Sequence, residues 1–151
     1  MFKSEKGVSA VEFALIAPLL FVLTFGIIEF SILLFDKAVV TNASREGARA
    51  AIVRAYDGTV YDPLTLAEIT AVVDQYVENY LISLGGTSTA ETDVEHIAPD
   101  GTAAAAIGGD VIVTVNYTYN FLVFQFLISL LGGSEFNDGI QLAGTTIMRM
   151  E

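Results

Sequence analysis

The chain has 151 residues, 18 acidic against 7 basic side chains, a net charge of −11 and no cysteine. Residues 1–54 hold six bases and five acids, a net of +1, whereas residues 55–151 hold thirteen acids and only Arg149 as a base, a net of −12. An acidic domain of this kind has no use for nucleic acid, whose phosphates call for clustered Lys and Arg; the lack of cysteine excludes disulfides, thiolate catalysis and cysteine metal sites; and the length leaves room for one small domain beyond a membrane segment.

The stub MFKSEKG precedes an apolar run from Val8 to Phe35, with Glu12 near its start and Glu29 near its far edge. Residues 13–28 carry no charge, and with their flanks they exceed the ~20 residues needed to cross a bilayer core. A carboxylate at the edge of such a run costs a few kcal/mol and points to a use. A secretory signal peptide fits less well, because its apolar region is about 7–15 residues followed by a small-residue cleavage site; the first such triplet here is Ala48-Arg49-Ala50. The positive stub favours a cytoplasmic N-terminus and an extracytoplasmic acidic domain, although Lys37, Arg45 and Arg49 on the other side keep the bias small. Pro18 and Gly26 interrupt the helix pattern and mark a bend or kink.

The helical pattern continues through residues 36–55. Ala43, Gly47, Ala50 and Ala51 place small residues at helical spacing, which allows close backbone approach, and Arg45 and Arg49 share a face at i,i+4. One helix over residues 8–55 would be roughly 70 Å long at about 1.5 Å per residue, a shape suited to stacking against other long helices. Residues 56–63 read as a loop. Residues 64–84 form an amphipathic helix with Leu66, Ile69, Val73, Tyr76, Val77, Tyr80 and Leu84 on one stripe, stopped by Gly85-Gly86. Residues 87–93 read as polar loop, Val94–Ile97 as a short strand and 98–109 as an Ala/Gly-rich turn. Asp110–Tyr119 alternates cleanly as a strand. Residues 121–131 are apolar but too short to span, so they read as a buried or surface-lying helix or a second membrane contact; residues 140–150 form a final strand. The expected fold class is α+β: a long pilin-like N-terminal transmembrane helix, a second helix and a small antiparallel sheet.

Nothing points to catalysis. His96 is the only histidine, beside Glu95, and reads as a surface residue; no G-x-S-x-G, phosphate loop or EF-hand spacing occurs, and no cofactor is implied. A different reading is an uncleaved, membrane-anchored extracytoplasmic binding or assembly module, with Tyr56, Tyr61, Tyr76, Tyr80, Tyr117 and Tyr119 available to line a site.

The run from Gly7 to Ala51 closely resembles the N-terminus of TadE-like proteins, minor pilins or pseudopilins of the bacterial tight-adherence (Tad/Flp) type IV pilus. The likeness rests on Gly7, the AVEFAL box (Ala10–Leu15), Pro18, GIIEF (Gly26–Phe30) and NASREGARAA (Asn42–Ala51), and less specifically on VIVTVNYTY and the final MRME. The resemblance implies cleavage by a prepilin peptidase between Gly7 and Val8, with 1–7 as leader, 8–55 as the membrane-spanning and projecting helix and 56–151 as the acidic extracytoplasmic domain. Glu12 then matches the pilin glutamate at mature position five, and Phe13 the aromatic position beside it. Glu12 and Phe13 are therefore candidates for assembly or peptidase recognition, and Pro18, Gly26, Glu29, Arg45, Gly47 and Arg49 for helix packing. Glu29, about 100° around the helix from Glu12, is expected at the outer headgroup layer or against a basic residue of another pilin. The implied partners are the membrane, the peptidase, a TadF-like minor pilin, the major Flp-type pilin and the inner-membrane assembly platform. The implied location is the bacterial inner membrane, as a single-pass protein, or a surface pilus.

Overall fold

The computed structural model describes residues 5–53, 55–56, 61–62, 64–83, 89–125 and 139–150. Helix α1 runs Glu5–Ile52 without a break through Pro18 or Gly26. Two two-residue strands, β1 (Ala55–Tyr56) and β2 (Tyr61–Asp62), pair antiparallel where the sequence reads as loop. They are followed by α2 (Leu66–Tyr80), β3 (Glu91–Ile97), β4 (Asp110–Tyr119) and β5 (Ile140–Arg149). The last three form one antiparallel sheet in the order β3-β4-β5, with Val94 opposite Val113 and Val113 opposite Thr146. The fold is α+β, as expected.

Helix α2 starts on a capping box. The Thr65 hydroxyl accepts from the Glu68 N–H at 3.3 Å while the Glu68 carboxylate accepts from the Thr65 N–H at 2.9 Å. The Thr65 N–H, and then the Thr65 hydroxyl, which donates to the same carboxylate at 2.8 Å, hold the Glu68 carboxyl below its ordinary range. The helix ends at Tyr80 rather than Leu84 for a tertiary reason. Leu81 is extended, and the Ile82 N–H donates to Asp36 Oδ1 at 3.0 Å instead of to a carbonyl one turn back. Gly85-Gly86 lies outside the described residues.

The core lies between one face of α1, α2 and the inner face of the sheet. Val111, Val113, Val115, Tyr117 and Tyr119 of β4 are all buried, as their alternation requires. They meet Ile69, Val73 and Val77 of α2 and Leu33, Val40, Ala43, Ala48 and Ala51 of α1. The small residues of α1 thus admit the chain's own domain. A Cβ at Gly47 would lie 2.5 Å from Val73 Cγ2 and 3.2 Å from Val113 Cγ1. At Gly144 of β5 a Cβ would lie 2.8 Å from the Val40 carbonyl oxygen and 2.9 Å from Thr41 Cα, so strand and helix touch backbone to backbone. Polar contacts flank that point: Lys37 Nζ donates to the Ala143 carbonyl, and the Ser44 and Thr146 hydroxyls are 2.8 Å apart. Ser44 donates to the Thr41 carbonyl at 2.9 Å, so Thr146 is the donor between the two hydroxyls.

Strand β3 begins at Glu91, earlier than its composition suggests, because β4 offers a ladder to Glu91, Thr92 and Asp93 as well as to Val94. Its outward residues are Glu91, Asp93, Glu95 and Ile97, and its inward ones are Thr92, Val94 and His96. Residues 98–109 form the turn-rich β3–β4 connection, with no helix or strand. Of the apolar stretch 121–131 only Phe121–Gln125 is described: Phe121 is buried, and residues 123–125 form a helical turn.

Candidate functional site

The two halves of α1 meet different surroundings. From Gly7 to Ile28 the helix carries none of the described domain except at Gly26, and its large apolar side chains stand open, Phe13 at 70% and Leu19 at 70%. A water-facing helix would bury such a surface, and this helix is long and apolar enough to cross a membrane as a single pass. Thr24 inside this stretch donates to the Leu20 carbonyl at 2.8 Å, and Ser31 just beyond it to the Ile27 carbonyl at 2.7 Å. Phe21 and Phe25 stack at 6.3 Å along one side.

Gly7, Val8, Glu12, Phe13 and Pro18 all lie exposed on this span. Glu12, a charge at the start of an apolar helix, has no side-chain partner among the described residues. Gly26 is different: a Cβ there would lie 3.3 Å from the Phe124 ring.

Glu29 is buried, 3% exposed, and does not lie at an open surface. Its carboxylate accepts from the backbone N–H groups of Leu122, Val123 and Phe124, the last two at 3.2 and 3.0 Å. One acid on α1 thereby satisfies the orphan donors at the start of a helical turn. The Tyr119 hydroxyl donates to the Glu29 carbonyl at 3.3 Å. Burial, then the charges of Glu29 and Asp36 and the neighbouring Tyr117, push the Tyr119 phenol up to about 12. Asp36, one face-repeat along, is fully buried and caps the chain after α2 through Ile82.

Arg45 and Arg49 point away from the core and have no side-chain partner among the described residues, whereas Gly47 between them is buried under α2 and β4. The residues grouped on the sequence as helix-packing candidates therefore divide: Gly26, Glu29 and Gly47 are occupied by this chain's own domain, and Pro18, Arg45 and Arg49 are open. The acceptor roles of Glu29 and Asp36 had one local signal, a lone acid in an apolar run; their donors lie 93 and 46 residues away.

His96 lies on the inner sheet face rather than on the surface, with Nε2 buried and without a hydrogen-bond partner. It borders an open cleft of about 430 Å³ whose walls include Leu66, Val94 and Thr102. Burial lowers the His96 pKa, so the folded protein holds the ring neutral where the unfolded chain, at its ordinary 6.5, takes up a proton. Stability contributed by His96 is present above about pH 6.5 and is lost as pH falls below it. Thermal midpoints followed from pH 7.5 to 5 should fall more for the native chain than for His96→Gln; equal slopes would remove His96 as the cause. Among the described residues no three His, Asp or Glu side chains are grouped to hold a metal ion.

No curated protein and no solved structure matches this chain. The family model described as TadE-like protein matches residues 7–49, which take in the exposed apolar part and the projecting part of α1 up to Arg49, and over this helix the chain is similar to TadE-like proteins.

Proposed function

We propose that the protein is a minor pilin, or pseudopilin, that assists biogenesis of a Tad/Flp type IV pilus, held in the bacterial inner membrane by α1 with its acidic domain on the extracytoplasmic side. The observation that carries the proposal is Glu12: an exposed carboxylate without a side-chain partner among the described residues, five positions beyond Gly7 on an apolar helix matched by the TadE-like model. Cleavage of the Gly7–Val8 bond by a prepilin peptidase creates an amine one turn from Glu12. In an array of such helices the carboxylate of one subunit pairs with the amine of its neighbour. The pair removes the penalty of leaving either charge alone in low dielectric and sets the axial register between subunits, as a buried polar group does in a coiled coil. Phe13 belongs to the same recognition segment. The partners of this reading are a TadF-like minor pilin, the major Flp-type pilin and the inner-membrane assembly platform, and the role is structural rather than enzymatic.

The intact mass and first residue of the protein isolated from its native membrane test the processing step. A chain that begins at Val8 is expected, and Gly7→Ala should leave the longer form. A native chain that retains Met1 would favour the uncleaved, membrane-anchored assembly module instead. Glu12→Ala should leave expression and domain folding unchanged and lower pilus assembly by about an order of magnitude, the scale of losing a ~1–2 kcal/mol paired charge. Normal piliation in that variant would count against the role given to Glu12.

A further inference from the structure

The domain does not stand clear of the membrane span. Among the described residues its lowest contact on α1 is Phe124 against Gly26, followed one turn on by the three N–H donors that close over Glu29. From Val8 to Ile28 the helix covers roughly 31 Å at about 1.5 Å per residue, the thickness of a bilayer core of about 30 Å. The end of the span and the docking point of residues 121–125 therefore coincide.

Composition and exposure agree with that position. Phe121 packs edge-on against Tyr119 at 5.3 Å and against Phe124 at 6.0 Å, which makes a small aromatic base under the sheet. Leu122 turns outward, 53% exposed, with no charged side chain anywhere between Phe121 and Gln125. On α1, just past Glu29, Phe30 and Leu34 are also open. Irregular backbone is tolerated at membrane depth only where its polar groups are satisfied by protein. Glu29 supplies that condition for Leu122, Val123 and Phe124, and the same bonds keep its own charge out of lipid.

We propose that Phe121–Gln125 is a membrane-interface contact, a foot that lies in the headgroup–acyl boundary of the leaflet on the domain's side, with Leu122 as its lipid-facing residue and Glu29 as the residue that positions it. The inference rests on the reading that α1 spans a bilayer. Its occupant is lipid rather than a neighbouring subunit, because the foot continues the apolar surface of the span at the level where the bilayer ends.

The chain contains no tryptophan, so single introduced tryptophans report depth without competing emission. Full-length Phe21→Trp, Leu122→Trp and Ile147→Trp, each at an exposed position, are reconstituted at low protein density into phosphatidylethanolamine–phosphatidylglycerol vesicles. Some of the lipid carries bromine either near the headgroup end or near the tail end of its acyl chains. The Leu122 probe should be quenched several-fold by the shallow bromines and little by the deep ones. The Phe21 probe should show the reverse, and the Ile147 probe, on the outer sheet face, should respond to neither. Deep quenching at Phe21 together with a Leu122 probe as unresponsive as Ile147 would overturn the foot while leaving the span intact. An unquenched Phe21 probe would overturn the span and the foot with it. Leu122 quenching that disappears as protein density rises while Phe21 quenching persists would show lipid on the foot in the isolated chain, displaced by neighbours on association. Absence of Leu122 quenching at every density would give the patch to another copy and overturn the proposal.

Discussion

Gly144→Val should lower the stability of the domain by about 3 kcal/mol, the upper end of what forced overpacking costs. The side chain would meet the Val40 carbonyl oxygen and the Thr41 backbone at 2.8–3.0 Å, and no rotamer change can move those atoms away. Relief requires β5 to lift from α1, which also strains the Lys37–Ala143 contact and the Ser44–Thr146 hydroxyl pair on either side. Denaturant unfolding of the full chain in micelles, followed by tyrosine fluorescence, reads the effect. A domain of total stability about 5–15 kcal/mol loses a large share of it. Gly144→Ala should fall between the native chain and the valine variant. Ala143→Val, whose side chain points outward from the same strand, should stay within about 0.5 kcal/mol of native. Gly47→Ala is expected to be milder than Gly144→Ala, because its closest neighbour is a methyl of Val73, which can shift. A native-like midpoint for Gly144→Val would mean that β5 does not lie on α1 as described.

Glu29→Ala should cost about 3 kcal/mol as well, by a different mechanism. It removes the acceptor of three backbone donors at once, and a buried donor without a partner carries a penalty of about 1–3 kcal/mol. The effect should be local before it is global. Hydrogen exchange at the amides of Leu122, Val123 and Phe124 should accelerate by at least about tenfold, one 1.4 kcal/mol step, while exchange in β4 changes little. Glu29→Gln keeps one carbonyl acceptor but places an amide NH₂ among the donors, so it should lie between Glu29→Ala and native. Unchanged protection of these three amides in Glu29→Ala would refute the capping role.

Elements with a strong local period were legible in the sequence. The alternation of Val111, Val113, Val115, Tyr117 and Tyr119 specifies β4 and the face it buries, and the stripe of Ile69, Val73 and Val77 specifies α2, since both patterns reflect which side meets a core. What escaped was set by partners distant in sequence. Glu91-Thr92-Asp93 is a poor strand by composition and becomes one because β4 lies beside it. Helix α2 stops at Tyr80 because Asp36 takes the next donor. The small residues around Gly47 announced a close approach, but not that the approaching elements would be the chain's own α2 and β4. His96 read as surface because a lone polar residue near a strand end carries no sign of which face the register will give it. In the candidate site, Glu12 and Phe13 were singled out from local sequence alone, and both are exposed on a part of α1 where no packing against the described domain is seen. Glu29 was not, because its role depends on Leu122–Phe124.

The helix that anchors the protein is also the centre of its core, and this sets the order in which the molecule can be made. The face of α1 from Leu33 to Ala51 is synthesised early, yet β5, which closes it at Gly144, begins roughly ninety residues later. At about 5–20 residues per second, that face waits uncovered for several seconds. Its apolar and small residues are then a docking surface for any other newly inserted helix nearby. Completion of β5 ends this interval by filling the groove, so a slow or damaged final strand would leave the half-made chain prone to pairing, just outside the membrane, with the projecting part of another such helix.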